Sequence, residues 1–207
     1  MFLIEISHPA GTYTADDHAT IAAAIIKAMT STDDAPEATM RRARRMTHVA
    51  FRELRDWHTG DGPVSAASAP PVIATITLPE DWCDESGAHM MGTVRAAVRR
   101  VDRARGWTRA GGDLWVNVVG VRNGRIGLDG KPTDGDGVMA YLTADFQALL
   151  ATGEYTVPEG KLLDPMCGMT VTLGPHAITL DHAGETVGFC SRGCRNAYAT
   201  QHQLTVA

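Results

Sequence analysis

A unit of strand, proline, helix, strand and glycine turn occurs twice in this chain, about 70 residues apart, and this repeat limits the possible folds more than any other feature. In the first copy Phe2-Leu3-Ile4-Glu5-Ile6-Ser7 reads as a strand and Pro9 punctuates it. A helical pattern follows from about Thr14 to Met29, with Ile21, Ala24, Ile25 and Ala28 at i, i+3, i+4 and i+7. Thr14, with Asp17 three residues on, supplies a helix start. A second strand covers roughly Met46 to Leu54, ahead of the turn Gly60-Asp61-Gly62. In the second copy the order is Val72 to Thr77, Pro79, a helix over about Asp84 to Arg105, a strand over Leu114 to Val121, and the turn Asp129-Gly130. The apolar positions of that helix are Met90, Met91, Val94, Val98 and Val101. Pro9 to Pro79 is an offset of 70, and Asp61-Gly62 to Asp129-Gly130 is one of 68, so the spacing is nearly constant.

One βαβ unit of about 60 residues buries too little surface to be stable alone. Two units side by side make a four-stranded sheet with two helices on one face. The opposite face then needs cover, which predicts oligomerisation. The Gly-, Ser-, Ala- and Pro-rich stretch Thr59 to Pro71 reads as a linker, and Ala151 to Gly160 as a second break. The expected division is 1–62, 70–150 and 161–207. Gly124 to Lys131 is too irregular for a phosphate loop and reads as a hairpin.

Charge excludes some functions. Residues 1–150 carry 16 basic and 19 acidic side chains and residues 161–207 carry 3 of each, so neither region is a polycation suited to nonspecific nucleic-acid binding. MFLIEISHPAG lacks a basic n-region and turns charged at Glu5, and no stretch approaches the roughly 20 apolar residues of a membrane span. The expected location is cytoplasmic, where clustered cysteines bind metal more readily than they form disulfides.

Three of the four cysteines are clustered: Cys167, Cys190 and Cys194 form C-x22-C-x3-C, with Cys83 far away and alone. Alternation over Thr170 to Leu180 and Thr186 to Phe189 predicts short strands, with Gly174-Pro175 and Ala183-Gly184 as turns. Cys190 to Cys194 reads as a knuckle in which Gly193 supplies backbone freedom, and a helix then runs toward Gln201. The helix N-terminus favours the thiolate form that ligates metal.

Asp164-Pro165-x-Cys167-Gly168-Met169-x-Val171, Gly184, Phe189-Cys190-Ser191-x-x-Cys194 and Tyr198 closely resemble the YHS/TRASH domains, whose cysteines bind soft metals in sensors and heavy-metal transporters. Val187-Gly188 stands where that family often has adjacent tyrosines. The resemblance implies a zinc-knuckle-like module holding one transition-metal ion per chain, Zn or Cu(I). Three thiolates leave one tetrahedral position, for which Asp164, His182 and water compete, with His176 and His202 behind them. Met166 and Met169 flank Cys167 and are core residues or thioether ligands for copper(I).

The element order of residues 1 to about 140 resembles the 4-oxalocrotonate tautomerase superfamily, whose fused two-unit members usually assemble as trimers. That implies a homotrimer carrying three metal modules. Tautomerases use the secondary amine of an N-terminal proline as general base. Here the second residue is Phe2, which predicts that Met1 is retained, and Pro70 and Pro71 offer only amide nitrogens. No catalytic residue is therefore expected, and whether the chain is an enzyme stays open. Arg41, Arg42, Arg44 and Arg45, with Arg52 and Arg55, suit either a solvated helix face or a carboxylate-binding pocket. The expected fold is α+β, a duplicated tautomerase-like sheet plus a small metal module. The expected function is binding of a soft metal on a silent scaffold, and the alternative is an enzyme working without a terminal proline.

Overall fold

In the computed structural model of the chain, strands and helices follow in the order β1 (Phe2–Pro9), α1 (Ala15–Thr30), α2 (Glu37–Met46), β2 (Thr47–Leu54), β3 (His58–Thr59), β4 (Gly62–Pro63) and β5 (Val72–Pro79). After a 3-10 turn at Glu80–Trp82 come α3 (Cys83–Ala104), β6 (Leu114–Val121), β7 (Ile126–Leu128), β8 (Lys131–Thr133) and α4 (Gly135–Thr152). The chain ends with β9 (Lys161–Leu163), β10 (Thr170–Thr172), β11 (Ile178–His182), β12 (Glu185–Phe189) and α5 (Arg192–Gln201). The structure describes residues 2–60, 62–64 and 68–205. Met1, Asp61 of the first expected turn and residues 65–67 of the expected linker lie outside the described residues.

Two compact units form, one from Met1–Ser31 with Met46–Val121 and the other from Thr32–Arg45 with Arg122–Ala207. The first holds a four-stranded mixed sheet in the order β2-β1-β5-β6. β1 runs parallel to β2, β5 runs parallel to β6, and the two pairs join through antiparallel β1 and β5. Each parallel pair needs a crossover, supplied by α1 and α3. The register carries the repeat into space: Pro9 pairs with Leu54 in one copy and Pro79 with Val121 in the other.

Alternation decides which face is covered. Ile4 and Ile6 of β1 and Val72, Ala74, Ile76 and Leu78 of β5 are buried in one core with Ile21 and Ile25 of α1 and Val94, Val98 and Val101 of α3, and His8 of β1 is buried on the same side. The intervening residues of β5 and β6 emerge on the other face, where Ile73, Trp115 and Val119 are 43 %, 63 % and 45 % exposed. Thr14 caps α1 as its spacing suggests: its Oγ1 accepts from the Asp17 N–H, and its own N–H donates to the Asp17 carboxylate at 2.8 Å. The turn after α3 is held by Arg109, which donates from Nε and Nη2 to both oxygens of buried Asp102 at 2.9 and 2.8 Å and from Nη2 to the Tyr13 hydroxyl. Burial pushes the Tyr13 phenol up to about 12.

In the second unit two hairpins close through tight turns. Asp129 and Gly130 have φ of 50° and 77°, and Ala183 and Gly184 have φ of 54° and 86°. Positive φ at both central residues is the type I′ geometry that matches strand twist. α4 was not expected from the sequence. It begins at Gly135-Asp136-Gly137, a poor helical opening by propensity, and Asp134 rescues it by accepting the Gly137 N–H at 2.8 Å. The arginine run lies in α2, where Arg41 and Arg42 pair with Asp145 of α4 and Arg44 pairs with Glu37. Arg42 clamps Asp145 through two nitrogens and holds its carboxyl down at about 2.

Candidate metal centre

The residues around Cys167 are ordered by one carboxylate. Asp164 ends the short strand pair β9–β10 and is fully buried. Its Oδ1 accepts the backbone N–H groups of Met166 and Cys167 at 2.8 and 3.3 Å, and its Oδ2 accepts that of Cys190 at 2.8 Å. The turn closes through Gly168 N–H to the Asp164 carbonyl and Asp164 N–H to the Met169 carbonyl, both at 2.8 Å. Gly168 holds φ 79°, and a Cβ there would meet the Phe146 ring at 2.6 Å, so both conformation and space require glycine. Gly193, expected to supply backbone freedom to the Cys190–Cys194 knuckle, is helical in the first turn of α5. Ser191 caps that helix and accepts the Cys194 N–H at 3.0 Å.

These two turns bring three sulfurs together. Cys167 Sγ lies 3.4 Å from Cys190 Sγ, and Cys190 Sγ lies 3.7 Å from Cys194 Sγ, with all cysteines unpaired as disulfides. One ligand atom from each of Asp164, Cys167, Cys190 and Cys194 lies within 4.8 Å of the others. Cys167 and Cys194 are buried, and Cys190 is the most exposed of the three. Phe189, Met139, Met166, Met169 and Tyr198 pack around them, which places the two flanking methionines in the apolar shell.

Proton sharing makes the sulfurs unequal. Hydrogen bonds shared among the sulfurs pull the Cys194 thiol below its ordinary range, so the first proton to leave belongs to the cluster rather than to one sulfur. Cys167 is pushed up by those same hydrogen bonds and by burial. Burial also raises the Asp164 carboxyl, and the Cys194 thiolate adds to this, against the N–H donors from Cys190 and Met166. A cation binding here displaces the thiol protons that the cluster holds.

His182, the rival fourth ligand, stands outside this foursome. Its Nδ1 is 2.7 Å from the Tyr198 hydroxyl, and its ring lies near that of His202. The sequence drew attention to Asp164 as a ligand but gave no sign of its hold on three backbone donors. Cys83 is partly buried beneath β6, where its sulfur would lie 2.9 Å from a Cβ placed on Gly120.

Removing the Asp164 side chain should therefore do more than delete one ligand. Asp164→Ala orphans the Met166, Cys167 and Cys190 amides, at about 1–3 kcal/mol for each orphaned group that stays buried. Asp164→Asn keeps an oxygen acceptor for part of the set. Chemical denaturation should rank wild type above Asn and Asn above Ala. Equal stability of wild type and the alanine variant would refute the ordering role.

No known family's sequence model matches this chain, and no curated protein does. Solved structures do show a likeness. The fused 4-OT wild type asymmetric trimer F6 is 14 % identical, with 63 % of this chain and 94 % of that chain covered and a TM-score of 0.47. Macrophage migration inhibitory factor from Toxoplasma gondii is 10 % identical, with 63 % and 98 % covered and a TM-score of 0.42. N1, a member of the cis-3-chloroacrylic acid dehalogenase family, is 14 % identical, with 72 % and 99 % covered and a TM-score of 0.42.

Proposed function

We propose that this chain binds one soft metal ion, copper(I), zinc or a heavier relative, through Cys167, Cys190 and Cys194 of a YHS/TRASH-type module, and that it senses, buffers or hands on that ion in the cytoplasm. The convergence of three sulfurs on one buried carboxylate carries this reading. Sulfur-rich sites select soft ions, and three thiolates leave one position open. Asp164 is already engaged with three backbone donors, so the open position suits an incoming thiolate or water. Cys190, at the outer edge, is where ligand exchange would begin.

The division at 1–62, 70–150 and 161–207 belongs to the same proposal, with the duplicated unit acting as a tautomerase-like scaffold of a homotrimer. Silence of that scaffold belongs to the same reading: Arg41 and Arg42 are tied to Asp145, Arg44 to Glu37 and Arg52 to Glu5, which engages four of the six arginines that a carboxylate pocket would draw on. No helix among the described residues is long and apolar enough to cross a membrane.

Metal content of protein purified from cytosol tests the reading, followed by competition between zinc and copper(I). One equivalent of copper(I) should produce thiolate-to-metal charge-transfer absorption and displace zinc from the sulfur site. Absence of that absorption at any copper(I) ratio would overturn the assignment.

A further inference from the structure

We infer that His8, His18 and Glu53 form a second metal site, built from nitrogen and oxygen, that takes a borderline divalent transition ion of the zinc class. One ligand atom from each lies within 4.8 Å of the others. The site sits at the carboxyl ends of parallel β1 and β2, beside the first turns of α1. In α/β architectures, ligands commonly bind outside such strand ends. His8 and Glu53 face each other in the strand register, and His18 reaches across from the helix.

His8 is oriented as a ligand. The Thr12 hydroxyl donates to the Pro9 carbonyl at 2.7 Å, so its hydrogen is already committed. His8 Nδ1, at 3.0 Å from that carbonyl and 3.2 Å from Thr12 Oγ1, must then be the N–H donor to both. This leaves a lone pair on His8 Nε2. A backbone carbonyl fixing the far nitrogen is the usual outer-shell support of a metal-bound histidine. His8 Nε2 points at His18 Nε2, 2.8 Å away, which is the proton donor when no metal is bound. On metal binding His18 shifts that proton to Nδ1 and stays neutral. Zinc–nitrogen bonds of about 2.0–2.1 Å in a tetrahedral site set two nitrogens about 3.3 Å apart, so the rings need part by only about half an ångström.

The other two groups are held as well. His18 stacks on Phe51, with ring centroids 4.2 Å apart and planes 17° from parallel. Glu53 Oε2 accepts the Gly11 N–H at 3.2 Å, which leaves Oε1 for a cation. Burial is graded from enclosed His8 through His18 to exposed Glu53, so an ion can reach the site from solvent.

The repeat shows that folding does not demand these residues. By strand register the second copy places Leu78 where the first has His8, and Gly120 where the first has Glu53. Gly87 stands there in place of His18, and a Cβ placed on it would lie 3.6 Å from Val118, so the second copy has no side chain at that position. An apolar core residue fills the position in one copy, and a buried, tautomer-fixed imidazole in the other. Two histidines and one carboxylate leave coordination positions open, a set suited to zinc and its neighbours rather than to copper(I).

Equilibrium dialysis of the full chain against zinc, with cobalt(II) as spectroscopic probe, tests this. Wild type should bind two equivalents. His18→Gln should lose one, and Glu53→Gln, at an exposed position that leaves the fold intact, should weaken the same one at least tenfold. Cys190→Ser should lose only the other. The cobalt(II) equivalent removed by His18→Gln should show d–d bands without thiolate charge transfer, which separates failure of this site from failure of the sulfur site. Unchanged zinc stoichiometry and affinity in both His18→Gln and Glu53→Gln would overturn the inference.

Discussion

Cys194→Ser is expected to abolish stoichiometric copper(I) or zinc binding at the sulfur centre, and Cys190→Ser to do the same. Cys194 lies in the first turn of α5, where hydrogen bonds to the neighbouring sulfurs pull its thiol below the ordinary range. A hydroxyl there offers neither the anion nor the softness the site requires. The loss should exceed the ~10–100-fold that removal of an outer-shell partner costs, because a direct ligand disappears from a set of three. The readout is competition against a chromophoric chelator, together with thermal melting with and without metal. Wild type should melt higher when loaded, since an ion that binds only the folded state stabilises it, and the serine variants should melt alike in both conditions. Full affinity in Cys194→Ser would sink the assignment.

The legible and illegible parts of the sequence divide along physical lines. β6 reads from its sequence as Leu114 to Val121 and occupies those residues, because a half-buried strand has to alternate. Asp129-Gly130 and Gly184 announce turns through the positive-φ conformations that Asp and Gly tolerate, and they adopt them, while Ala183 is carried into the same region beside Gly184. Opposite cases share one cause: their partners are remote in sequence. α4 opens on two glycines, and besides its local cap at Asp134 it is held by the pairing of Asp145 with Arg42, more than 100 residues away. Asp164 reads as a fourth ligand by spacing, yet its engagement with the Cys190 amide exists only after the two turns meet. His8 follows Ile4 and Ile6 on the buried side of β1, a signal that a polar group occupies a core position. Nothing local to it pointed to His18 or Glu53.

The open face of the four-stranded sheet yields the other large effect, a threefold mass in solution. α1 and α3 cover one side, and the far side presents Ile73, Trp115 and Val119 in neighbouring register, with Ile73 directly opposite Trp115. Exposed aromatic and β-branched groups on one sheet face mark it as a surface suited to contact with another chain. Trp115 is well suited to anchor the contact: its indole N–H donates to the Asn117 side-chain oxygen at 2.6 Å, so its apolar ring can be buried without orphaning a polar group. Any closed assembly would cover this face without leaving an open end, and the proposed homotrimer is one of these. Sedimentation equilibrium should therefore report about three times 22.1 kDa at micromolar concentration. Trp115→Glu, which sets a charge at the anchor, should shift the species toward 22.1 kDa while leaving far-UV circular dichroism unchanged. A clean monomer in the wild-type protein would refute both the trimer and the tautomerase-like arrangement proposed for the scaffold. A trimer indifferent to Trp115→Glu would move the contact to another surface.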